Sequence, residues 1–284
     1  MDLSAGNEPL VQRVETLIRL ALEEDLPEGD VTTEAVLDPD LAASAFCVAR
    51  ERLVLSGMDV ARRVFGTIDA DVKWKGLFRD GEEVEAETVI SRLDGRAASI
   101  LAGERTALNF LQHLSGIATA TRRMIALVHD LPVSILDTRK TLPGWRLLEK
   151  SAVKDGGGTN HRFSLSDSVL IKDNHVALGG GVAATVRRAR SRLKPGTRIE
   201  VETTSTAEVR EALEAGADVI LIDNTTPESL AEAVGLAGGR ADLEVSGGIG
   251  EGNVRAMARS GVTMISVGAL THSAGAVDIS MEIA

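Results

Sequence analysis

The sequence predicts an α/β protein in which an N-terminal α+β layer precedes a (β/α) barrel. After Pro132, short apolar runs alternate with helical patterns, the order that parallel strands joined by crossover helices require. The runs are apolar at nearly every position, as strands covered on both faces must be. Each run is followed by polar, charged or Gly-rich residues, and in a barrel all such strand ends lie on one rim, where active sites are built. A doubly wound open sheet is the rival, but its site would use only the ends flanking the switch point.

Residues 10–26 read as an amphipathic helix, with Leu10, Val14, Leu17, Ile18, Ala21 and Leu22 on one face. Pro27-Glu-Gly-Asp30 ends it as a turn. Strand-like runs follow at 46–48, 53–55, 72–74 and 88–90, with a helix over 57–65 among them. Residues 103–128 form a long helical stretch with Leu108, Leu111, Leu114 and Ile117 in step, and Gly116 marks a break or a close contact within it. The barrel strands fall at 133–136, 169–171, 199–201, 219–222, 243–245 and 264–267. Helices are expected at 145–154, 182–193, 206–215, 227–236 and 252–259.

The chain has 284 residues, enough for two domains or for one large barrel with an added domain. It has no apolar run long enough to span a membrane, and its first residues lack the pattern of a secretory signal. Cys47 is the only cysteine, which excludes an internal disulfide and a cysteine-based zinc site and fits a reducing cytoplasm. The net charge is -11, yet residues 137–175 carry seven Arg or Lys against five Asp or Glu. A local cationic cluster inside an acidic chain points to a pocket for a small, highly charged anion. A nucleic-acid surface would bias the whole domain towards basic residues.

Arg139 and Arg162 offer planar forks for carboxylate or phosphate, and Lys140 and Lys172 add point charges. Surface salt bridging is the plain alternative for such residues, and strand-end placement argues against it. Glu202 and Asp223 end successive strands. They would hold Mg²⁺, accept hydrogen bonds from sugar hydroxyls, or simply balance the cations. Ser246-Gly247-Gly248 and Gly268-Ala-Leu follow the last two strands, where backbone N–H groups can cradle a phosphate. His161 lies among the cations as a donor to a carboxylate or a proton shuttle, and His175 is read as orienting its loop. His113 and His129 fall on helices and are read as structural.

The motifs Glu24-Asp-Leu-Pro-Glu-Gly-Asp-Val-Thr-Thr33, Gly103-Glu-Arg-Thr-Ala-Leu-Asn-Phe-Leu111, Leu114-Ser-Gly-Ile-Ala-Thr119, Asp137-Thr-Arg-Lys-Thr-Leu-Pro-Gly144, Gly156-Gly-Gly-Thr-Asn-His-Arg162, Leu170-Ile-Lys-Asp-Asn-His175, Glu200-Val-Glu202, Ile222-Asp-Asn224 and Ser246-Gly-Gly-Ile249 run in order along the chain. Together they resemble the quinolinate phosphoribosyltransferase family, the decarboxylating nicotinate-nucleotide pyrophosphorylases of NAD synthesis. The resemblance implies an N-terminal α/β sandwich domain over 1–115, with the tail 274–284 packing on it, and an incomplete seven-stranded α/β barrel over 116–273. It implies the joining of quinolinate to 5-phosphoribosyl-1-pyrophosphate with Mg²⁺, giving nicotinate mononucleotide, pyrophosphate and CO₂.

By the same resemblance, Arg105, Arg139, His161, Arg162 and Lys172 would bind quinolinate, and Thr138 would be a further substrate-binding residue. Lys140, Glu202 and Asp223 would carry the catalytic contacts to the ribose, pyrophosphate and metal. Ser246, Gly247, Gly248 and Gly268 would take the 5-phosphate. A cytoplasmic homodimer is implied, with Arg105 supplied to the partner's site, and with neither nucleic acid nor membrane as a partner. Phe163-Ser164, Trp145, Ser151 and Thr203-Thr204 depart from the family pattern, and Phe163 and Trp145 would alter pocket shape. Two other classes stand beside this reading: a barrel lyase using Lys172 as a Schiff-base amine, and a non-catalytic anion-binding module.

Overall fold

The computed structural model describes residues 8–284, which divide into two compact units. The first comprises the chain up to Arg122, Leu142–Gly157 and Ala274–Ala284, and the second comprises Arg123–Thr141 and Gly158–Ser273. The division drawn on sequence, between residues 115 and 116, differs from this packing division. The latter falls inside a helix and assigns the segment 142–157 to the first unit.

In the first unit, α1 (Glu8–Asp25) leads through the predicted turn into α2 (Val31–Val36), a helix the sequence pattern did not show. Asp30 caps it: Oδ1 accepts from the Thr32 and Thr33 N–H groups at 3.1 and 3.0 Å. Its Oδ2 accepts the Thr33 hydroxyl at 2.5 Å, and these bonds hold the Asp30 carboxyl below the ordinary carboxylate range. The Gly-Asp-Val-Thr-Thr motif is thus a helix start. Then come β1 (Ala42–Ala49), β2 (Leu53–Val54), α3 (Met58–Ile68), β3 (Lys73–Gly76), β4 (Glu83–Val84) and β5 (Thr88–Arg96). The last residues return as β12 (Ile279–Ile283), so the main sheet has the order β12-β1-β5-β3, antiparallel throughout.

The long helix α4 runs Ala97–Ala126: it starts six residues before the predicted stretch and ends two residues before its apolar stripe does. Gly116 does not break it. A Cβ there would collide with the Gly275 carbonyl, so the residue permits a close backbone approach. Phe65, Leu93, Ile100, Phe110, Leu111, Leu114 and Ile117 form a core with no more than 1 % exposure each. Helix α5 (Arg146–Asp155) belongs to this unit. Its Glu149, fully buried, accepts from the Leu142 N–H at 3.1 Å and lies 2.9 Å from His113 Nε2.

The second unit holds β6 (Ser134–Leu136), β7 (Val169–Ile171), β8 (Ile199–Thr203), β9 (Val219–Asp223), β10 (Asp242–Ser246) and β11 (Met264–Ser266). Between them run α6 (Asp173–Gly179), α7 (Val182–Arg192), α8 (Thr206–Ala215), α9 (Pro227–Ala237), α10 (Val254–Arg259) and α11 (Ala269–His272). The spatial order is β6-β11-β10-β9-β8-β7, and every pairing is parallel. Each strand from β7 to β11 adds beside its predecessor, and the first strand, β6, pairs with the last. That cyclic order is a barrel's; a doubly wound sheet reverses direction about an interior strand.

The implied seventh strand is reduced to one residue: Thr159 bridges Leu136 in parallel, donating to Ile135 O at 2.9 Å and accepting from Asp137 N–H at 3.2 Å. Gly156, Gly157 and Gly158 precede it and offer no apolar side chains to a longer strand. Among the described residues no ladder joins Thr159 to β7, so the barrel is open there. Ile199, Val201, Ile220, Val245 and Ile265 are fully buried in it. No described helix is long and apolar enough to cross a membrane.

Candidate active site

Parallel strands alternate their side chains between the barrel interior and the helical layer. On β8 this places Glu202 inward, one layer above Glu200, and on β9 Asp223 stands above Leu221. On β10 Ser246 stands above Glu244. The loops after β6 and β7 and the segment 159–162 add Thr138, Arg139, Lys140, Lys172, His161 and Arg162. With Gly247, Gly248 and Gly268, all these residues except Glu200 line one cavity of about 580 Å³ at the carboxyl ends of the strands. Every candidate named from the barrel segment is therefore gathered at one mouth. The cavity also takes in Leu170, Leu221, Glu244, Ile249, Ser266 and His272, none of them given a binding role from the sequence, and Ala269 of the Gly268-Ala-Leu loop. Their period-two spacing from named residues, Glu244 to Ser246 and Leu221 to Asp223, was the signal that could have found several of them.

Arg105 stands apart. It lies exposed on α4 in the first unit and outside the lining of this cavity. It lines another cavity, of about 290 Å³, with Glu24, Asp25, Asn109, Phe110 and Trp145. Trp145 is stacked on Phe110 at 4.7 Å between centroids and meets His113 edge-on at 5.3 Å. Neither Trp145 nor Phe163 lines the barrel cavity, so these departures leave its lining unchanged. The Phe163 and Ser164 N–H groups both donate to Asp167 Oδ2, at 2.7 and 2.9 Å, which closes a turn that Ser164 suits. Thr203 is buried, donating to Leu221 O at 3.3 Å, and Thr204 donates through its N–H and hydroxyl to Glu208. Ser151 lines a water-sized pocket in the first unit.

The charged groups hold one another in place. Asp137, with no exposure at all, accepts from Asn160 Nδ2 at 2.6 Å and from the His161 N–H at 2.8 Å. The end of β6 thereby fixes the Asn-His-Arg segment. Burial lowers the Arg162 pKa, and the neighbouring Arg139 charge lowers it further. The charges of Glu200 and Asp167 oppose that lowering without cancelling it, so a further anion would stabilise the pair. Lys172 Nζ lies 3.2 Å from Glu202 Oε2. Asp223 Oδ1 accepts the Ser246 hydroxyl at 2.7 Å, and its Oδ2 accepts from Asn224 Nδ2 at 2.6 Å. Asn224 has left-handed backbone, and Gly247 is required because a Cβ at its φ of +91° would strike the Asn224 side chain.

His175 Nδ1 accepts from the Lys172 N–H at 2.9 Å, closing a capping box at the start of α6. It orients the loop that presents Lys172. His129 is not on a helix: it follows α4 in a turn, with Nδ1 2.8 Å from Ala126 O.

His161 Nε2 faces Glu200 at 3.3 Å and Glu244 at 3.5 Å. Burial disfavours its charged form, but hydrogen bonds and charge from the two glutamates outweigh burial and hold its pKa up at about 9. The Arg162 N–H also points at His161 Nδ1, 2.8 Å away, a bond only the neutral ring can accept. The cation gives up that bond, whereas the neutral ring protonated at Nε2 would keep it and still donate to one glutamate. The charge of two carboxylates facing Nε2 favours the cation, and Arg162 is the other cation whose charge reaches Glu200.

Glu202 and Asp223 are the rim carboxylates that could hold Mg²⁺, Glu202 now facing Lys172 and Asp223 facing Ser246 and Asn224. Two carboxylates are the ligand number for an ion carried in on substrate phosphates and too few for a resident cage. The one described group of three metal-capable side chains is His161, Glu200 and Glu244, and there the histidine is already ion-paired.

A barrel-type unit whose strand ends gather four basic side chains and a charged histidine around Glu202, Asp223 and Glu244 defines an enzyme for multiply anionic small molecules. Residues 30–115 match the quinolinate phosphoribosyl transferase N-terminal domain, and residues 117–282 match its C-terminal domain. The chain belongs to the quinolinate phosphoribosyltransferase family. It is 42% identical over 276 residues to a probable nicotinate-nucleotide pyrophosphorylase [carboxylating] of Methanocaldococcus jannaschii, covering 94% of this chain and 96% of that protein. It is 40% identical over 288 residues to quinolinate phosphoribosyltransferase [decarboxylating] 1b of Nicotiana tabacum, covering 94% and 81%. Its structure superposes on the nicotinate-nucleotide pyrophosphorylase from Francisella tularensis with a TM-score of 0.92, at 41% identity and 96% coverage of both chains.

Proposed function

We propose that the chain is a decarboxylating quinolinate phosphoribosyltransferase, joining quinolinate to 5-phosphoribosyl-1-pyrophosphate with release of pyrophosphate and CO₂. The observation that carries this reading is the convergence of the barrel's basic side chains and two rim carboxylates on one cavity of about 580 Å³. Two polyanions must be brought together against their mutual repulsion, and fixed cations do that while stabilising the charge that leaves.

Arg139, Arg162, His161 and Lys172, with Thr138 beside them, hold the two carboxylates of quinolinate. Lys140, Glu202 and Asp223 face the ribose and pyrophosphate. Mg²⁺, arriving with the sugar pyrophosphate, would neutralise phosphate charge. The Ser246-Gly247-Gly248 loop and Gly268 take the 5-phosphate on backbone N–H groups. Breakage of the C1–O bond sends its electron pair to pyrophosphate, and the pyridine nitrogen forms the new bond to C1. The quaternised ring then accepts the electron pair of the C2–carboxylate bond as CO₂ leaves, and a proton fills C2.

A homodimer in which Arg105 completes the partner's site belongs to this reading, since Arg105 lines no part of the barrel cavity of its own chain. We place the reaction in the cytoplasm, where the single free, buried Cys47 meets no oxidising demand.

Quinolinate labelled in the 2-carboxylate should release labelled CO₂ only when phosphoribosyl pyrophosphate and Mg²⁺ are both present. Binding of quinolinate without release would instead mark a non-catalytic module. A Schiff-base role for Lys172 is disfavoured by its ion pair with Glu202, since Schiff-base lysines sit as isolated amines or beside other cations. Asp223→Ala removes the acceptor of Ser246 and Asn224 on the ribose side. It should raise the KM for phosphoribosyl pyrophosphate about tenfold or more and blunt the Mg²⁺ response, while quinolinate affinity stays within about twofold. Separate titrations of the two substrates and of Mg²⁺ check this, and an unchanged Mg²⁺ response would refute the assignment.

A further inference from the structure

The interior layers of a parallel barrel are filled by Val, Ile and Leu. This barrel departs from that rule with two carboxylates, one layer beneath the rim. Glu200 on β8 is 9% exposed and Glu244 on β10 is 1% exposed. A buried carboxylate needs a partner to offset its lost hydration. Here both converge on one atom, His161 Nε2, at 3.3 and 3.5 Å. Glu244 is held in turn by the Ser266 hydroxyl, which donates to its Oε1 at 2.5 Å. Glu200 is absent from the lining of the mouth cavity and faces a second cavity of about 200 Å³, lined by Arg198, Val219 and Met264 towards the other end of the strands and by His161, Arg162 and Glu244, which line both cavities. It therefore acts on a ligand in the mouth through His161.

We propose that Glu200 and Glu244 are positioning residues for the quinolinate side of the site, gripping His161 by Nε2 from beneath so that its ring forms a fixed floor for a ring carboxylate. The inference rests on the function proposed above. Charged groups on several elements face the ring or its neighbours. Glu200 approaches from β8 and Glu244 from β10. Asp137 at the end of β6 holds the His161 N–H, and Arg162, with Arg139 behind it, flanks the ring within the cation cluster. The carboxylates raise the His161 pKa, so its cation is present below about 9 and is lost as the pH rises through that value. Quinolinate affinity should fall over the same range. With one carboxylate removed, the fall should move down towards the ordinary histidine value of 6.5.

The test is Glu200→Gln, which keeps shape and removes charge, with Ser266→Ala as the milder variant that loosens Glu244. Two readouts are taken on folded protein: the histidine ring titration by NMR, which needs no substrate, and the kinetics of both substrates across pH. The expected result is a lowered His161 titration and a quinolinate KM raised about tenfold at neutral pH, the loss of about one charge-assisted contact. The KM for phosphoribosyl pyrophosphate should stay within about twofold, and Glu200→Asp should recover part of the loss. An unmoved titration in folded Glu200→Gln overturns the proposal, as does an equal loss for both substrates. If Glu200→Gln does not fold, an unmoved titration in Ser266→Ala overturns it. A wild-type protein that shows the high titration yet releases no CO₂ from quinolinate would sink the function and leave the buried grip on His161 standing.

Discussion

Arg162→Ala should raise the quinolinate KM about a hundredfold while changing the KM for phosphoribosyl pyrophosphate by no more than about threefold, because removing a partly buried arginine from its contact with a bound carboxylate costs on the order of 2–5 kcal/mol. The size of the effect follows from the surroundings. Burial and the Arg139 charge already work against the Arg162 cation. Its binding energy is therefore concentrated on the anion that relieves that repulsion. The selectivity follows from placement: Arg162 sits beside His161 and Arg139, whereas Glu202 and Asp223 lie on β8 and β9. Initial rates with each substrate varied against saturating partner give both constants. An equal loss for both substrates would count against a dicarboxylate at this end of the cavity. Nicotinate, with one carboxylate, should be a far poorer substrate for the wild type than quinolinate.

Mixing inactive Arg105→Ala with inactive Lys172→Ala subunits under exchange conditions should restore activity, up to about half that of a wild-type dimer per mixed dimer. In an isologous dimer whose sites are built from both chains, one mouth of the hybrid carries both lesions and the other carries neither. Arg105 forms no ion pair with any described residue and lines a cavity of its own unit with Glu24 and Asp25, so its charge is open to a ligand or a partner subunit. Native mass spectrometry counts the hybrids and the CO₂-release assay scores them. Hybrids that form and stay dead would assign Arg105 to its own barrel or to no site.

Much of the architecture was legible because its signals are local. The helix of α8 has the predicted bounds, Thr206–Ala215, since Ser205 caps its start and Gly216 its end within the same short stretch. The six barrel strands were each written as a run of Ile, Val and Leu ending in polar residues. Weaker signals failed. The helix α2 is six residues long, too short for periodicity to register, and α6 hides in Lys172-Asp-Asn-His175, whose polar residues read as a loop. Strand β12 is identified by its pairing with β1 more than two hundred residues away, a contact no local window contains.

The site divides along the same line. Arg139, Lys140, Arg162, Lys172, Glu202 and Asp223 could be named because chemistry at a strand's end breaks an apolar pattern and so shows itself. Glu200 and Glu244 could not be given a role, since a single carboxylate inside an apolar run has no meaning until its neighbour across the barrel is known. The sequence by itself determined which side chains reach the rim, through the period of two along each strand and the Gly and Pro that end it. Only the tertiary structure decided the rest: that β6 closes on β11, that the seventh strand shrinks to Thr159, that Asp137 anchors His161, and that two buried carboxylates stand beneath its ring. The physical reason is distance. Propensity and periodicity act between near neighbours in the chain, while charge, burial and hydrogen bonding act between near neighbours in space.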